Sequence, residues 1–250
     1  YLPLASDRDQ HYKESGMHPN MSPDIKSWLK ETEKDDERRL NFLKSKIKNK
    51  KILDLGCGIG GFIEKAQNFA SIAKGIELEI AIQNSFKTRK LSVYSDIKDA
   101  IDSKHKWNLI TAFHVLEHLS DPIKTLQEVS LLLENDGEII IEVPNADDAL
   151  LSLYTNDAFA NFVFWAEHLF VFNESTLTSI IEKSGLKLNW VKHIQRYPLS
   201  NHLYWLSNNK PNGHEIWKFL NDSTLDQRYE NQLAKKGITD TIIISAGLKK

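Results

Sequence analysis

Cysteine is almost absent: Cys57 is the single thiol in 250 residues. One thiol excludes an internal disulfide framework and points to a reducing compartment. No apolar run approaches the roughly 20 residues that span a bilayer, and no charged-then-apolar leader opens the chain. An excess of one charge is missing as well. The 32 basic and 34 acidic side chains leave a formal net charge of −2, without the basic field that nucleic-acid binding draws on. The expectation is a cytoplasmic protein with no nucleic-acid partner and no membrane span. Repeats and low-complexity tracts are lacking too, so residues 1–250 read as a single large domain with insertions.

Glycine is sparse at 11 residues, yet Gly56, Gly58, Gly60 and Gly61 cluster in one stretch. The apolar run Lys51-Ile52-Leu53-Asp54-Leu55 leads into them, and Phe62, Ile63, Ala66 and Phe69 then recur at helical spacing. That is a strand, a tight turn and a helix start, where backbone N–H groups approach a ligand with no Cβ in the way. Two fingerprints fit. Gly56, Gly58 and Gly61 match G-x-G-x-x-G, the dinucleotide turn of a nicotinamide oxidoreductase. Asp54, Gly56, Gly58 and Gly60 match D-x-G-x-G-x-G.

Around this turn the pattern alternates. Residues 1–48 read as an N-terminal arm and helical cap, with Ser22-Pro23 as a helix start and Trp28, Leu29, Leu40, Leu43 and Ile47 on one face. The charge run from Glu31 to Arg39 reads as a solvated helix surface. Further strands are expected at 72–77, 91–95, 107–113, 138–143, 186–194 and 241–246. A helix opening at Asp121-Pro122 carries Ile123, Leu126, Val129 and Leu133 on one face. Strands alternating with helices imply right-handed βαβ units and a mainly parallel sheet, which binds ligands at the carboxyl ends of its strands. Asp54 to Gly60, Glu77, Asp96 and His114 to His118 all fall at such ends. Two stretches break the rhythm, 145–172 and 197–236. Both are aromatic-rich inserts expected to form a lid and an acceptor site.

The D-x-G-x-G-x-G string resembles motif I of class I S-adenosylmethionine (SAM) methyltransferases. His114-Val115-Leu116-Glu117-His118-Leu119-Ser120-Asp121-Pro122 resembles the segment that follows the fourth strand in many small-molecule members of that family. The resemblance implies an α/β, Rossmann-like fold: a seven-stranded, mainly parallel sheet with helices on both faces and a reversed last strand. It implies S-adenosyl-L-methionine as cofactor, with Gly56, Cys57, Gly58 and Gly60 against its methionine part and Asp54 holding the turn. Glu77, with Leu78 beside it, would take the ribose hydroxyls. Asp96 and Ile97 would meet adenine, His114 would lie near the methionine end, and Tyr12 would close over the cofactor.

Methyl transfer to a hydroxyl needs a base, and histidine suits neutral pH. Glu167-His168-Leu169-Phe170 resembles a segment of sugar methyltransferases that faces the acceptor. His168 is therefore the expected base, with Glu167 beside it and His118 as the second candidate. Trp165, Arg196, Tyr197, Asn201 and His202 are expected to bind the acceptor, Arg196 by gripping an anionic group bidentately. The acids Asp147 and Asp148 lack a carboxylate at the end of the fourth strand to join them, so no metal is expected. The later part of the chain resembles methyltransferases of bacterial surface-polysaccharide biosynthesis. It implies O-methylation of a sugar, sugar nucleotide or phosphorylated sugar, or of a phosphoramidate, with C- or N-methylation of a sugar as the alternative.

Overall fold

The computed structural model describes residues 24–165 and 167–249. Tyr12, Ser22 and Pro23 lie outside them. Seven strands form one sheet: β1 Lys51–Leu55, β2 Ile72–Ile76, β3 Val93–Tyr94, β4 Trp107–Phe113, β5 Leu133–Pro144, β6 Leu186–Ile194 and β7 Thr241–Leu248. Their order is β3-β2-β1-β4-β5-β7-β6. β7 runs antiparallel to both β5 and β6, whereas β1, β2, β3, β4 and β5 pair in parallel. The reversed last strand and the mixed sheet match the expected topology. β7 is buried along nearly its whole length, which is why it reads as a continuous apolar run and not as an alternation.

Eleven α-helices follow in chain order among the described residues. They are α1 Ile25–Ile47, α2 Gly61–Ala66, α3 Gln83–Thr88, α4 Ile97–Asp102, α5 Pro122–Ser130, α6 Ala149–Ser152, α7 Asp157–Val163, α8 Glu174–Lys183, α9 Leu199–Asn208, α10 Gly213–Ile216 and α11 Ser223–Lys236. Ile52, Leu109, Ile140 and Ile243 on one sheet face pack with Leu43 and Ile47 of α1, Phe62 and Ile63 of α2 and Phe86 of α3. Leu53, Ile110, Ile141 and Ile244 on the other face pack with Ala100 of α4, Leu126 and Val129 of α5, and Leu177 and Ile181 of α8. The sheet thus separates two apolar cores, as the period-2 alternation of side chains requires. A third, smaller cluster ties the two inserts together through Leu150, Phe159 and Trp205. No helix among the described residues is long and apolar enough to cross a membrane.

Three local expectations change. Leu133 does not extend the face of α5; it pairs with Trp107 at the start of β5. The described start of α1 is capped by Asp24, whose side chain accepts from Ser27 N at 3.2 Å. The run from Glu31 to Arg39 is only partly solvated. Asp36 is buried at 4% exposure, and Arg38 and Arg39 point into the protein.

Residues 173–185 behave as their sequence dictates. The Asn173 side chain accepts from Thr176 N at 3.0 Å and Thr176 Oγ1 accepts from Asn173 N at 3.0 Å. Gly185, at φ +83°, follows the last turn of α8. Replacing Asn173 with Ala removes the reciprocal cap, and chemical denaturation is expected to register a loss of about 1 kcal/mol.

Candidate active site

The turn after β1 is built from positive-φ backbone. Gly56 has φ +64° and Gly58 φ +51°, a region that favours glycine. Gly56 has a second constraint, since a Cβ there would lie 2.6 Å from Val115 Cγ2. At Gly58 a Cβ would meet nothing within 4 Å, so the turn presents open space at that point. Gly58 N donates to Glu77 Oε2 at 2.8 Å and Glu79 N donates to Glu77 Oε1 at 2.9 Å, fixing the Glu77 carboxylate at the carboxyl end of β2. Burial pushes the Glu77 carboxyl above its ordinary value. Asp54 is buried beneath the turn and accepts from Thr111 Oγ1 at 2.6 Å. Burial raises its pKa to about 7. It holds β1 against β4. Cys57 N donates to Ile76 O at 3.0 Å, tying the same turn to β2. Asp96 caps α4, accepting from Asp99 N at 2.8 Å, with Ile97 half-buried beside it; Leu78 is half-buried next to Glu77.

His114 follows β4 with φ +55°, strain that a non-glycine residue adopts only when its surroundings enforce it. Those surroundings are a charged cluster. Glu142 of β5, fully buried, accepts at Oε1 from Arg38 Nη2 at 2.8 Å and Arg39 Nη2 at 2.7 Å. His114 Nδ1 lies 3.1 Å from Glu117 Oε1, and Arg196 Nη1 lies 2.8 Å from His114 Nε2. A guanidinium can only donate, so Nε2 carries the lone pair and the proton sits on Nδ1, directed at Glu117. Nε2 also lies 3.2 Å from Glu142 Oε1, a contact a neutral ring cannot turn into a hydrogen bond; the shorter Arg196 contact decides the tautomer. Arg196 does not offer its fork to a ligand. Nε donates to Asp35 Oδ1 at 3.2 Å and Nη2 donates to Asp35 Oδ2. That corrects the expectation of bidentate anion binding.

Beyond His114 opens a cavity of about 690 Å³, lined by β4's end and by both inserts. Glu117, His118 and His168 stand on one side, and Phe159, Phe162 and Trp205 supply apolar wall. Trp165 and Tyr197 also line it and are 43% and 39% exposed. The His118 and His168 rings lie 4.9 Å apart, centroid to centroid. Burial, followed by the neighbouring His118, holds the His168 pKa below its ordinary value. Burial pushes the Glu117 carboxyl up, but the hydrogen bond from His114 and the neighbouring imidazoles of His114 and His118 together leave the pKa lowered. Glu167 meets His118 through its backbone carbonyl, 2.9 Å from Nδ1. Its carboxylate is not part of the cavity wall.

Asn201 and His202 also border the cavity but are engaged elsewhere. Asn201 Oδ1 accepts from Gly213 N at 3.1 Å. His202 Nδ1 lies 2.8 Å from Tyr229 Oη and Nε2 lies 3.0 Å from Gln195 Nε2, and burial lowers its pKa to about 4. Both residues hold the second insert together where it borders the cavity.

Residues 28–190 match the Methyltransferase domain family. The chain belongs to that family. It is a SAM-dependent methyltransferase, and the glycine turn is therefore the methyltransferase turn, not the nicotinamide one. A ubiquinone biosynthesis O-methyltransferase of Coxiella burnetii is 25% identical over 184 residues, covering 65% of this chain and 75% of that protein. An uncharacterized protein of Methanocaldococcus jannaschii is 30% identical over 121 residues, covering 47% of this chain and 52% of that protein, so the chain spans about half of that relative. Among solved structures, a SAM-dependent methyltransferase from Archaeoglobus fulgidus superimposes with TM-score 0.58 at 18% identity, covering 88% of this chain and 98% of that one. That likeness is one of fold.

The methyltransferase's own residues fit its cofactor. The open space at Gly58 and the Glu77 carboxylate aligned by two backbone N–H groups form a cradle that a Cβ would begin to fill. Sequence reasoning missed Asp35, Arg38, Arg39 and Glu142. Trp28, Thr32, Asp35, Arg39, Leu43 and Ile47 lie three or four apart, so the inward stripe of α1 continues through its charges. That spacing was the available signal.

Proposed function

We propose that this methyltransferase transfers the methyl group to a hydroxyl of a small neutral acceptor held in the cavity between the two inserts. The observation that carries this is the junction of two unlike surfaces at β4's end: aromatic wall from Phe162, Trp165 and Trp205, and a polar floor of Glu117, His118 and His168. Aromatic faces suit a sugar ring or another hydroxylated ring. Among the described residues lining the cavity, Arg196 is the single Lys or Arg, and Asp35 occupies its fork. A phosphoryl or phosphoramidate acceptor has no free cationic side chain among these lining residues to meet, so a neutral sugar hydroxyl is favoured. The O-methyltransferase relative from Coxiella burnetii supports oxygen over carbon or nitrogen.

In this reading Glu77 holds the ribose hydroxyls, Asp96 and Ile97 meet adenine, and the turn from Gly56 to Gly60 admits the methionine part. When bound, SAM supplies both the methyl group and its leaving group. The chain's residues align the acceptor and exclude water, which is worth roughly 7–11 kcal/mol of barrier when the geometry is good. His118 and His168 receive the acceptor hydroxyl. His168 Nδ1 is 2.8 Å from Val163 O, and a carbonyl only accepts, so its neutral ring keeps the lone pair on Nε2.

The test is methyl transfer from labelled SAM to a panel of neutral sugars, sugar nucleotides, phosphorylated sugars and hydroxylated aromatics. Transfer to neutral hydroxyls supports the reading. Transfer restricted to phosphorylated acceptors or to amines contradicts it. A pH profile follows from the lowered His168 pKa. The ring stays neutral to pH values below 6.5, so kcat is expected to hold through neutrality and to fall only on acidification below that value. A rate that rises as His168 protonates would overturn its role.

A further inference from the structure

The group at the cavity floor has more organisation than hydroxyl recognition requires. One ligand-type atom from each of Glu117, His118 and His168 lies within 4.8 Å of the other two. His118 Nδ1 is 2.9 Å from Glu167 O and His168 Nδ1 is 2.8 Å from Val163 O. Both rings therefore donate from Nδ1 to a backbone carbonyl, and in both the neutral ring carries its lone pair on Nε2. This is the support that metal-ligating imidazoles use, since a fixed Nδ1–H sets both tautomer and ring orientation. Glu117 adds a carboxylate whose Oε1 is taken by His114, while its Oε2 is buried with no hydrogen-bond partner. A buried polar oxygen without a donor costs about 1–3 kcal/mol, more when charged, and a cation would offset that cost. The residues are also held to one another. Leu169 N and Phe170 N donate to Glu117 O at 2.8 and 3.1 Å, tying the segment that carries His168 to the turn that carries Glu117 and His118.

We propose that Glu117, His118 and His168 form a divalent-cation site that opens onto the acceptor cavity. Two imidazole nitrogens and one carboxylate suit a first-row transition ion such as Mn²⁺, Co²⁺ or Zn²⁺ better than an all-oxygen ion such as Ca²⁺. Three protein ligands leave positions for acceptor oxygens. Resting on the reading of a hydroxyl acceptor, the ion would bind that oxygen and lower its pKa, so that the proton leaves to solvent while the O–CH3 bond forms and the sulfonium S–CH3 bond breaks, releasing S-adenosylhomocysteine. A vicinal diol or catechol, which offers two oxygens to one ion, is the acceptor class this site favours. The site replaces the expectation of no metal. It does not use Asp147 or Asp148; Asp148 Oδ1 instead accepts from Leu150 N at 2.7 Å.

The test is calorimetric titration of the chelator-treated, tag-free full chain with Mn²⁺, Co²⁺ and Zn²⁺, with neither SAM nor acceptor present. The site predicts one ion per chain. His118→Ala, His168→Ala and Glu117→Gln should each weaken binding by more than the roughly 10–100-fold that loss of an outer support costs. His105→Ala, at the amino end of β4, should leave affinity unchanged. Paramagnetic broadening by Mn²⁺ serves if a variant fails to fold: the His118 and His168 ring signals should broaden and those of His105 should not. No saturable binding of any of the three ions, or equal binding by a His118→Ala/His168→Ala double variant that keeps its fold, overturns the site. Full-rate methylation of a hydroxyl under chelation would also remove the ion while leaving the hydroxyl-acceptor reading in place. Saturable binding with transfer confined to amines would do the reverse.

Discussion

Glu142→Ala is expected to lower folding stability by roughly 3–5 kcal/mol, the cost of leaving buried charge unpaired. Glu142 is fully buried in the sheet and accepts from Arg38 and Arg39. Without it, Arg38 retains Asp35 at 3.1 Å, but Arg39 is left with Asp36 at 3.8 Å and the face of Phe113 at 4.6 Å. Both arginines stay largely out of solvent, with side-chain exposures of 25% and 11%. Glu142→Gln keeps the shape and an acceptor oxygen and should cost less. The wild type also makes a pH prediction. Burial pushes the Glu142 carboxyl up, but the charges of Arg39 and Arg38 beside it help hold it well below its ordinary value of 4.5. A carboxyl depressed in the folded state contributes stability that is complete above the unfolded pKa and is lost as pH falls through the folded one. Wild-type stability should therefore drop on acidification below about pH 4.5 more steeply than that of Glu142→Ala. Urea denaturation across that pH range reads the difference, and parallel curves would contradict it.

Glu77→Gln is expected to weaken SAM binding by about 1.5–3 kcal/mol, roughly a 10–150-fold rise in Kd, because hydrogen bonds to a charged group are worth that much. The carboxylate is fixed by Gly58 N and Glu79 N, so it receives the ribose without reorganising. An amide in its place keeps one acceptor and turns an N–H group against one of those backbone donors. Stability should change little beside the binding loss, since Glu77 is half-buried at the end of its strand. Affinity equal to the wild type's would remove Glu77 from the cofactor site.

The sheet was legible because its signals are local. Ile139, Ile140 and Ile141, and Ile242, Ile243 and Ile244, are runs that only a strand buried on both faces accommodates, and each falls in β5 or β7. The glycine turn was legible for the same reason: Gly56 and Gly58 occupy positive-φ positions that the sequence declares directly. What was not legible lies where charges turn inward. Arg38 and Arg39 follow a run of solvated Glu and Lys residues, and nothing local says that Glu142, about a hundred residues on, waits beneath them. Arg196 shows the same limit. Its neighbours, a tyrosine, an amide and a histidine, read as a binding surface, yet its fork meets Asp35, 161 residues earlier. The two inserts were recognisable as departures from the βαβ rhythm. Their mutual contact through Phe159 and Trp205, with ring centroids 5.2 Å apart, is a tertiary fact with no local signature.

In the proposed arrangement two adjoining sites meet at His114: cofactor over the Gly56 to Gly60 turn, acceptor in the cavity between the inserts. The direct measurement is a crystal structure with S-adenosylhomocysteine. The expected result is ribose hydroxyls on Glu77 and the sulfur facing the cavity beside His114. An adenosyl group lodged instead between Phe162 and Trp205, with Glu77 uncontacted, would contradict it.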